Sequence, residues 1–206
     1  LVDGVWVDAN AAAYVGTVAA DDYVGTGDTD TFTFGSGTFS VLGDDTVAGE
    51  GGTDELLFTS AVDFSNDDAF ENVTGVESIG LANGANRLTL GINTDFSGIT
   101  TVTGGNGNDT IDGSLSELDL NLAGGEGNDQ LFSGTGNDTL VGGTGDDTLI
   151  FNSRNIDAND LVQGGTDGSD ILAFATGGSI NTGLGGGLEG VSEVETIRFS
   201  QDGNYL

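Results

Sequence analysis

GGEGNDQLF at 124–132, SGTGNDTLV at 133–141 and GGTGDDTLI at 142–150 are three consecutive readings of one nine-residue phrase. A looser copy, GGNGNDTID, occupies 104–112, and an expanded one, GGTDGSDIL, begins at Gly164. The shared pattern is G-G-x-G-x-D-x-U-x, with U a large apolar residue. Its glycines accept positive φ and close backbone approach, which makes a tight turn. The residues after the aspartate leave as a short strand with one inward position. Repetition at a fixed short period marks a solenoid, in which each unit buries its apolar residue only by stacking on its neighbours.

Two phrases make one coil of 18 residues, the spacing from Gly124 to Gly142; Gly104 to Gly124 is 20 and Gly142 to Gly164 is 22. That spacing stacks the turns carrying Asp109, Asp129, Asp147 and Asp170 along one edge and places Asp138 on the opposite edge. Each turn offers one carboxylate and several backbone carbonyls. The carbonyl candidates are those of Gly105, Gly107, Gly125, Gly127, Gly134, Gly136, Gly143, Gly145 and Gly165. A hard divalent cation such as calcium takes six to eight oxygen ligands, so one turn supplies about half a site and the next coil the rest. Three inter-turn sites are expected along the first edge. Asp30, Asp45 and Asp54 mark degenerate turns nearer the N-terminus. Asn108, Asn128, Asn137 and Asp146 precede the key aspartates and read as turn formers, tolerant of left-handed backbone.

A longer repeat encloses the short one. FENVTGVESIGLANGANRL at 70–88 and LEGVSEVETIRFSQDGNYL at 188–206 share seven residues at an offset of 118, among them Glu71/Glu189, Val73/Val191, Glu77/Glu195 and Asn86/Asn204. The same offset lays Gly25–Asp28 on Gly143–Asp146. The chain therefore divides into an atypical segment 1–22 (cap, linker or partner strand), a first module 23–140, and a second copy 141–206 that stops partway. Helix signals are scarce. ENVTGVESIGL, EGVSEVETIRF, RLTLGI from Arg87 and TTVTG from Thr100 read as strands, and only Asn66 to Glu71 reads as a helical turn. The fold class is all-β, a right-handed parallel β-roll or solenoid with irregular strands between the repeats.

Composition narrows the chemistry. Thirty-four acidic residues face three basic ones, for a formal charge of −31. That field opposes nucleic acid and anionic membrane surfaces as partners, and it strains any compact state. Cysteine and histidine are absent, which removes disulfides, thiolate chemistry, the Ser-His-Asp triad and the HExxH zinc site. No apolar run approaches the ~20 residues of a membrane span. Methionine is absent too, so residue 1 reads as an internal position of a longer or processed protein.

The nonapeptides resemble those of the repeats-in-toxin (RTX) family. That resemblance implies several bound Ca²⁺ ions per chain, export through a type I secretion channel of a Gram-negative-type bacterium, and folding outside the cell. The connecting motifs, GGTD…L followed by VxxVExI, are closest in style to modular surface-layer and adhesin-like members. The leading expectation is a non-enzymatic, calcium-stabilised structural module of an extracellular assembly: surface layer, sheath, filament or adhesin stalk. It would self-associate or stack on neighbouring modules of the same polypeptide, without nucleic acid or membrane insertion. Two other readings stay open: the tail of a secreted enzyme or toxin, and a glycan-binding adhesin module using Trp6, Tyr14, Tyr23 or Tyr205 to stack a sugar. Ice binding needs a flat threonine-asparagine array, and only Gly134 to Asp138 fits one.

Overall fold

The computed structural model describes residues 5–6, 13–15, 21–35, 45–151, 156, 158–175 and 188–199. Among these, strands stack in parallel into three sheets. The longest runs through Ala13–Val15, Thr31–Phe34, Glu55–Phe58, Ser78–Gly80, Thr101–Asn106, Asn121–Glu126, Thr139–Thr144, Leu161–Asp167 and Val191–Ser192. A seven-stranded sheet begins with Asp63–Phe64 and Arg87–Thr89, continues through Thr110–Asp112, Gln130–Phe132, Thr148–Phe151 and Ile171–Phe174, and ends with Thr196–Arg198. A four-stranded sheet (Val5–Trp6, Asp22–Val24, Thr46–Ala48, Val73–Thr74) forms a third side near the N-terminus. The chain is a parallel β-solenoid.

Register shows the coil shortening. Successive partners in the longest sheet, Thr31, Glu55, Ser78, Thr101, Asn121, Thr139 and Leu161, are 24, 23, 23, 20, 18 and 22 residues apart. The wide early coils hold aromatics. Tyr23, Phe34, Phe58, Phe64 and Phe70 form a chain of ring contacts at 5.3–6.0 Å. Past Gly98 each coil has two strands, and one aliphatic residue per strand fills the gap between sheets ~10 Å apart. Val102, Leu122, Leu140 and Val162 line one wall and Ile111, Leu131, Leu149 and Leu172 the other, all at 0% exposure.

The turn expected at Asn66–Glu71 is a 3₁₀ helix, Asp67–Phe70, capped by the Asn66 side chain. ENVTGVESIGL is strand as expected, but in two pieces on two different sides, Val73–Thr74 and Ser78–Gly80, because Gly75 turns the chain at φ 63°. EGVSEVETIRF splits likewise at Glu193, φ 54°. RLTLGI is a strand only over Arg87–Thr89 and then enters an α-helix, Ile92–Ser97, which the sequence reading missed. That helix extends the third side: Ser97 Oγ donates to Val73 O at 2.8 Å, and the Asp67 carboxylate receives the N–H groups of Asn93 and Thr94 at its start. Among the described residues no helix is long and apolar enough to cross a membrane.

The 118-residue repeat falls on the solenoid out of phase with the coils. Val73–Thr74 belongs to the four-stranded sheet, but its equivalent Val191–Ser192 belongs to the longest one. Ser78–Gly80 belongs to the longest sheet and its equivalent Thr196–Arg198 to the seven-stranded one. The boundary drawn at residue 140 lies inside the strand Thr139–Thr144, within a continuous sheet.

Candidate metal centre

The nonapeptide turns at 104–112, 124–132, 142–150 and 164–172 leave the longest sheet through their glycines and enter the seven-stranded sheet past their aspartates, whereas the turn at 133–141 runs from the seven-stranded sheet to the longest one. Gly105, Gly107, Gly125, Gly127, Gly143, Gly145 and Gly165 have φ between 95° and 150°, where side chains are strained. Stacking then forms a ladder. The backbone N–H groups of Asn86, Asp109, Asp129 and Asp147 donate to Oδ1 of Asp109, Asp129, Asp147 and Asp170 at 2.7–2.9 Å. Asp170 N–H donates to Glu195 Oε2 at 2.6 Å.

That ladder uses one oxygen of each carboxylate. The other, Oδ2 of Asp109, Asp129 and Asp147, is buried with no hydrogen-bond partner. These three atoms occupy the three expected inter-turn spaces. A Cβ built on Gly124 would overlap both Asp129 Oδ2 and Gly142 O, and one on Gly142 both Asp147 Oδ2 and Gly164 O. Gly104 stands in the same relation to Asp109 Oδ2 and Gly124 O. A carboxylate oxygen of one coil and a carbonyl of the next therefore converge on a space that a methyl group would fill.

The residues before the aspartates do more than shape turns. Asn128 N–H donates to Asn108 Oδ1, Asp146 N–H to Asn128 Oδ1 and Ser169 N–H to Asp146 Oδ1, at 2.8–3.1 Å. This outer ladder runs opposite to the inner one, so each pair of coils is tied in both directions. Asn137 N–H bonds Asp119 Oδ1 at 2.7 Å on the other edge.

On that edge Asp138 Oδ1 accepts from Leu120 N–H, Asp138 N–H donates to Asp160 Oδ1 at 2.7 Å, and Asp138 Oδ2 is buried without a partner. Asp160 escaped the sequence reading because no glycine motif precedes it. Its spacing of 22 from Asp138, the same as Gly142 to Gly164, was the available signal. Gly134 and Gly136 lack the positive φ of their counterparts. They give close approach to the preceding coil, at Ser116 O and Leu118 O.

The early aspartates divide between two columns. Asp30 N–H donates to Asp54 Oδ1 and Asp54 N–H to Glu77 Oε2, both at 2.7 Å, and Asp54 Oδ2 is buried and unpartnered. This reproduces Asp147, Asp170 and Glu195 one side round the solenoid. Asp30 Oδ2 is already engaged by the Thr26 N–H and hydroxyl at 2.5 and 3.0 Å. Asp45 stands on a different edge, accepting Asp21 N–H at 3.0 Å.

Burial raises the carboxyls of Asp54, Asp109, Asp129, Asp138, Asp147 and Asp170, since desolvation disfavours the charged form. Asp129, Asp138 and Asp147 are pushed up to about 6, chiefly by desolvation, with the inter-coil N–H bond opposing and neighbouring carboxylates adding. Asp54, Asp109 and Asp170 are raised by the same leading cause. Among the described residues no three acidic side chains converge as a metal-binding group. A cation in these spaces must take most of its ligands from backbone carbonyls. Hard oxygens alone, few of them charged, suit Ca²⁺.

The family model of the RTX calcium-binding nonapeptide repeat matches in four copies, over residues 42–58, 94–115 and 121–152. The chain carries RTX repeats. No curated protein and no solved structure matches it. The matched RTX spans contain Asp45, Asp54, Asp109, Asp129, Asp138 and Asp147. Asp30 and Asp170 lie outside them and are tied to the RTX columns by the ladder bonds alone. RTX nonapeptides bind calcium, so the chain is a calcium-binding structural module.

One expectation about ligands is corrected. Tyr23 is 2% exposed and its hydroxyl donates to Asp21, so it is a core residue and no platform for a sugar. The side chains of Trp6 and Tyr14, and all of Tyr205, lie outside the described residues.

Proposed function

We propose that this chain is a secreted, non-enzymatic structural module whose solenoid is locked by calcium outside the cell, within a larger extracellular assembly. The observation that carries the reading is the row of buried, unpartnered Oδ2 atoms aimed at carbonyls of the next coil. The ligands are Oδ2 of Asp109, Asp129 and Asp147, the Oδ1 atoms of the following aspartates through Asp170, and carbonyls of the adjoining glycine turns. Asp138 with Asp160, and Asp54 with Glu77, form isolated sites on the other edge. Bound calcium supplies the positive charge that these buried carboxylates lack. Without it the ladders hold ionised groups out of water at a cost, and the net charge of −31 repels itself. A chain that stays open where calcium is scarce and closes at millimolar calcium suits type I export, which RTX repeats typically accompany.

Circular dichroism and light scattering in EGTA and then in ~10 mM Ca²⁺ test this, the upper value matching the weak-site range of extracellular modules. Calcium-driven compaction to β-structure is the expected result, with large oligomers if the module assembles by itself. A chain equally folded in both conditions would refute the calcium reading.

A further inference from the structure

Asn86 stands at the head of the main aspartate column, one coil before Asp109, where the motif would place an aspartate. The aligned turns are Leu81–Asn86 and Gly104–Asp109, with Ala82 at the place of Gly105 and Gly84 at that of Gly107. Asn86 is 3% exposed. Its Oδ1 accepts Val62 N–H at 3.0 Å, the bond that each column aspartate makes with its Oδ1. That bond fixes the amide orientation, and the NH₂ group takes the position that Oδ2 holds in the later coils.

Its surroundings are a set of oxygens. Asn86 Nδ2 donates to Ala82 O and Gly84 O of its own turn at 2.8 Å, and to Asp109 Oδ1 of the next coil at 2.8 Å; Gly104 O lies at 3.5 Å. In the next coils the corresponding spaces hold an orphaned carboxylate oxygen and a carbonyl. An amide NH₂ is a donor only, with its positive pole outward. Here it faces four oxygens, and one of them, Gly104 O, is the counterpart of Gly124 O beside the orphaned Asp109 Oδ2 one coil on.

The geometry points to Asn86 as a built-in substitute for calcium: its amide fills the first inter-coil slot, closes the metal column at Asp109, and fastens the roll to the preceding coils without a metal. The inference rests on the calcium reading of Asp109–Asp170. A primary amide shares its two N–H hydrogens among these oxygens and adds no net charge, so Asp109 Oδ1 and the turn carbonyls are held together without an ion. Fittingly, Val62 is the column residue one coil earlier.

The test is equilibrium dialysis against radioactive calcium for the wild type, Asn86→Asp and Asn86→Ala, with melting followed by circular dichroism in EGTA and in calcium. Asn86→Asp is expected to bind one calcium more than the wild type and to melt lower in EGTA, with the loss restored by calcium. Asn86→Ala is expected to keep the wild-type stoichiometry and to melt lower by a similar amount in both conditions. A folded Asn86→Asp with no extra calcium, beside a calcium-binding wild type, overturns this inference alone. So does loss of one calcium in Asn86→Ala, which would make Asn86 a ligand; this arm decides if Asn86→Asp does not fold. A wild type that binds no calcium overturns the functional reading, and the inference with it.

Discussion

Asp147→Asn separates the two jobs of a column aspartate. Oδ1 of Asp147 accepts the Asp129 N–H at 2.8 Å, and an asparagine Oδ1 retains that bond. Oδ2 is buried and unpartnered, and an amide NH₂ there would meet carbonyl oxygen as Asn86 does. In EGTA above pH 7 the substitution removes a buried charge whose carboxyl is held at about 6 instead of 3.8. At ~1.4 kcal/mol per pKa unit that relief is at most about 3 kcal/mol. In calcium the balance reverses, because Asp147 borders two slots. A site at a hundred times its Kd contributes about 2.7 kcal/mol through mass action, so losing both costs about 5 kcal/mol, more than the relief. The expected result is a crossover: a higher melting temperature than wild type in EGTA, a lower one in calcium, and a reduced calcium stoichiometry. The assay is paired thermal melts followed by circular dichroism, with dialysis for bound calcium. A variant with the full wild-type calcium response, or one destabilised in EGTA as much as Asp147→Ala, would refute the argument.

Three further outcomes follow from the same geometry. In EGTA the fold should gain stability as pH falls from 7.5 toward 5: Asp129, Asp138 and Asp147 have folded-state values near 6, above 3.8, so the folded form binds the extra protons and the gain is lost as pH rises through 6; in calcium, protons compete with the ion and the calcium midpoint should rise over the same range. Gly142→Ala should abolish a calcium step in a circular-dichroism titration, since its Cβ overlaps Asp147 Oδ2 and Gly164 O, whereas Gly27→Ala, with nothing within 4 Å of its Cβ, should stay within about 0.5 kcal/mol of wild type in chemical denaturation. Leu131→Ala, at a fully buried rung between Ile111 and Leu149, should cost about 2–5 kcal/mol in calcium-saturated denaturation without changing the number of ions bound.

The glycine phrases made the two-strand coils and the main aspartate column readable, because a fixed 18-residue coil leaves little freedom about which turns stack. Reading failed where the phrase is absent and only stacking assigns a role. Asp160, Glu77 and Glu195 enter the ladders without any GxGxD, through the backbone N–H groups they receive. Asn86 looked like one more shared residue of the long repeat, and only its four surrounding oxygens reveal its part. The helix Ile92–Ser97 was hidden because its stability comes from tertiary bonds to Asp67 and Val73 more than from its own six residues. The third sheet was hidden too, since a strand such as Thr46–Ala48 does not announce which side of a coil it joins.

Duplication usually multiplies one binding face. Here the copied stretch lands one wall round from its original, so Glu77 and Glu195 cap ladders on different flanks of the same rod. A substitution carried in both copies would change two compass directions at once, and a partner reading a single flank would meet only one of them. Lengthening such an array by whole copies would wind its surface chemistry around the axis, and a matching binding surface would have to follow a screw.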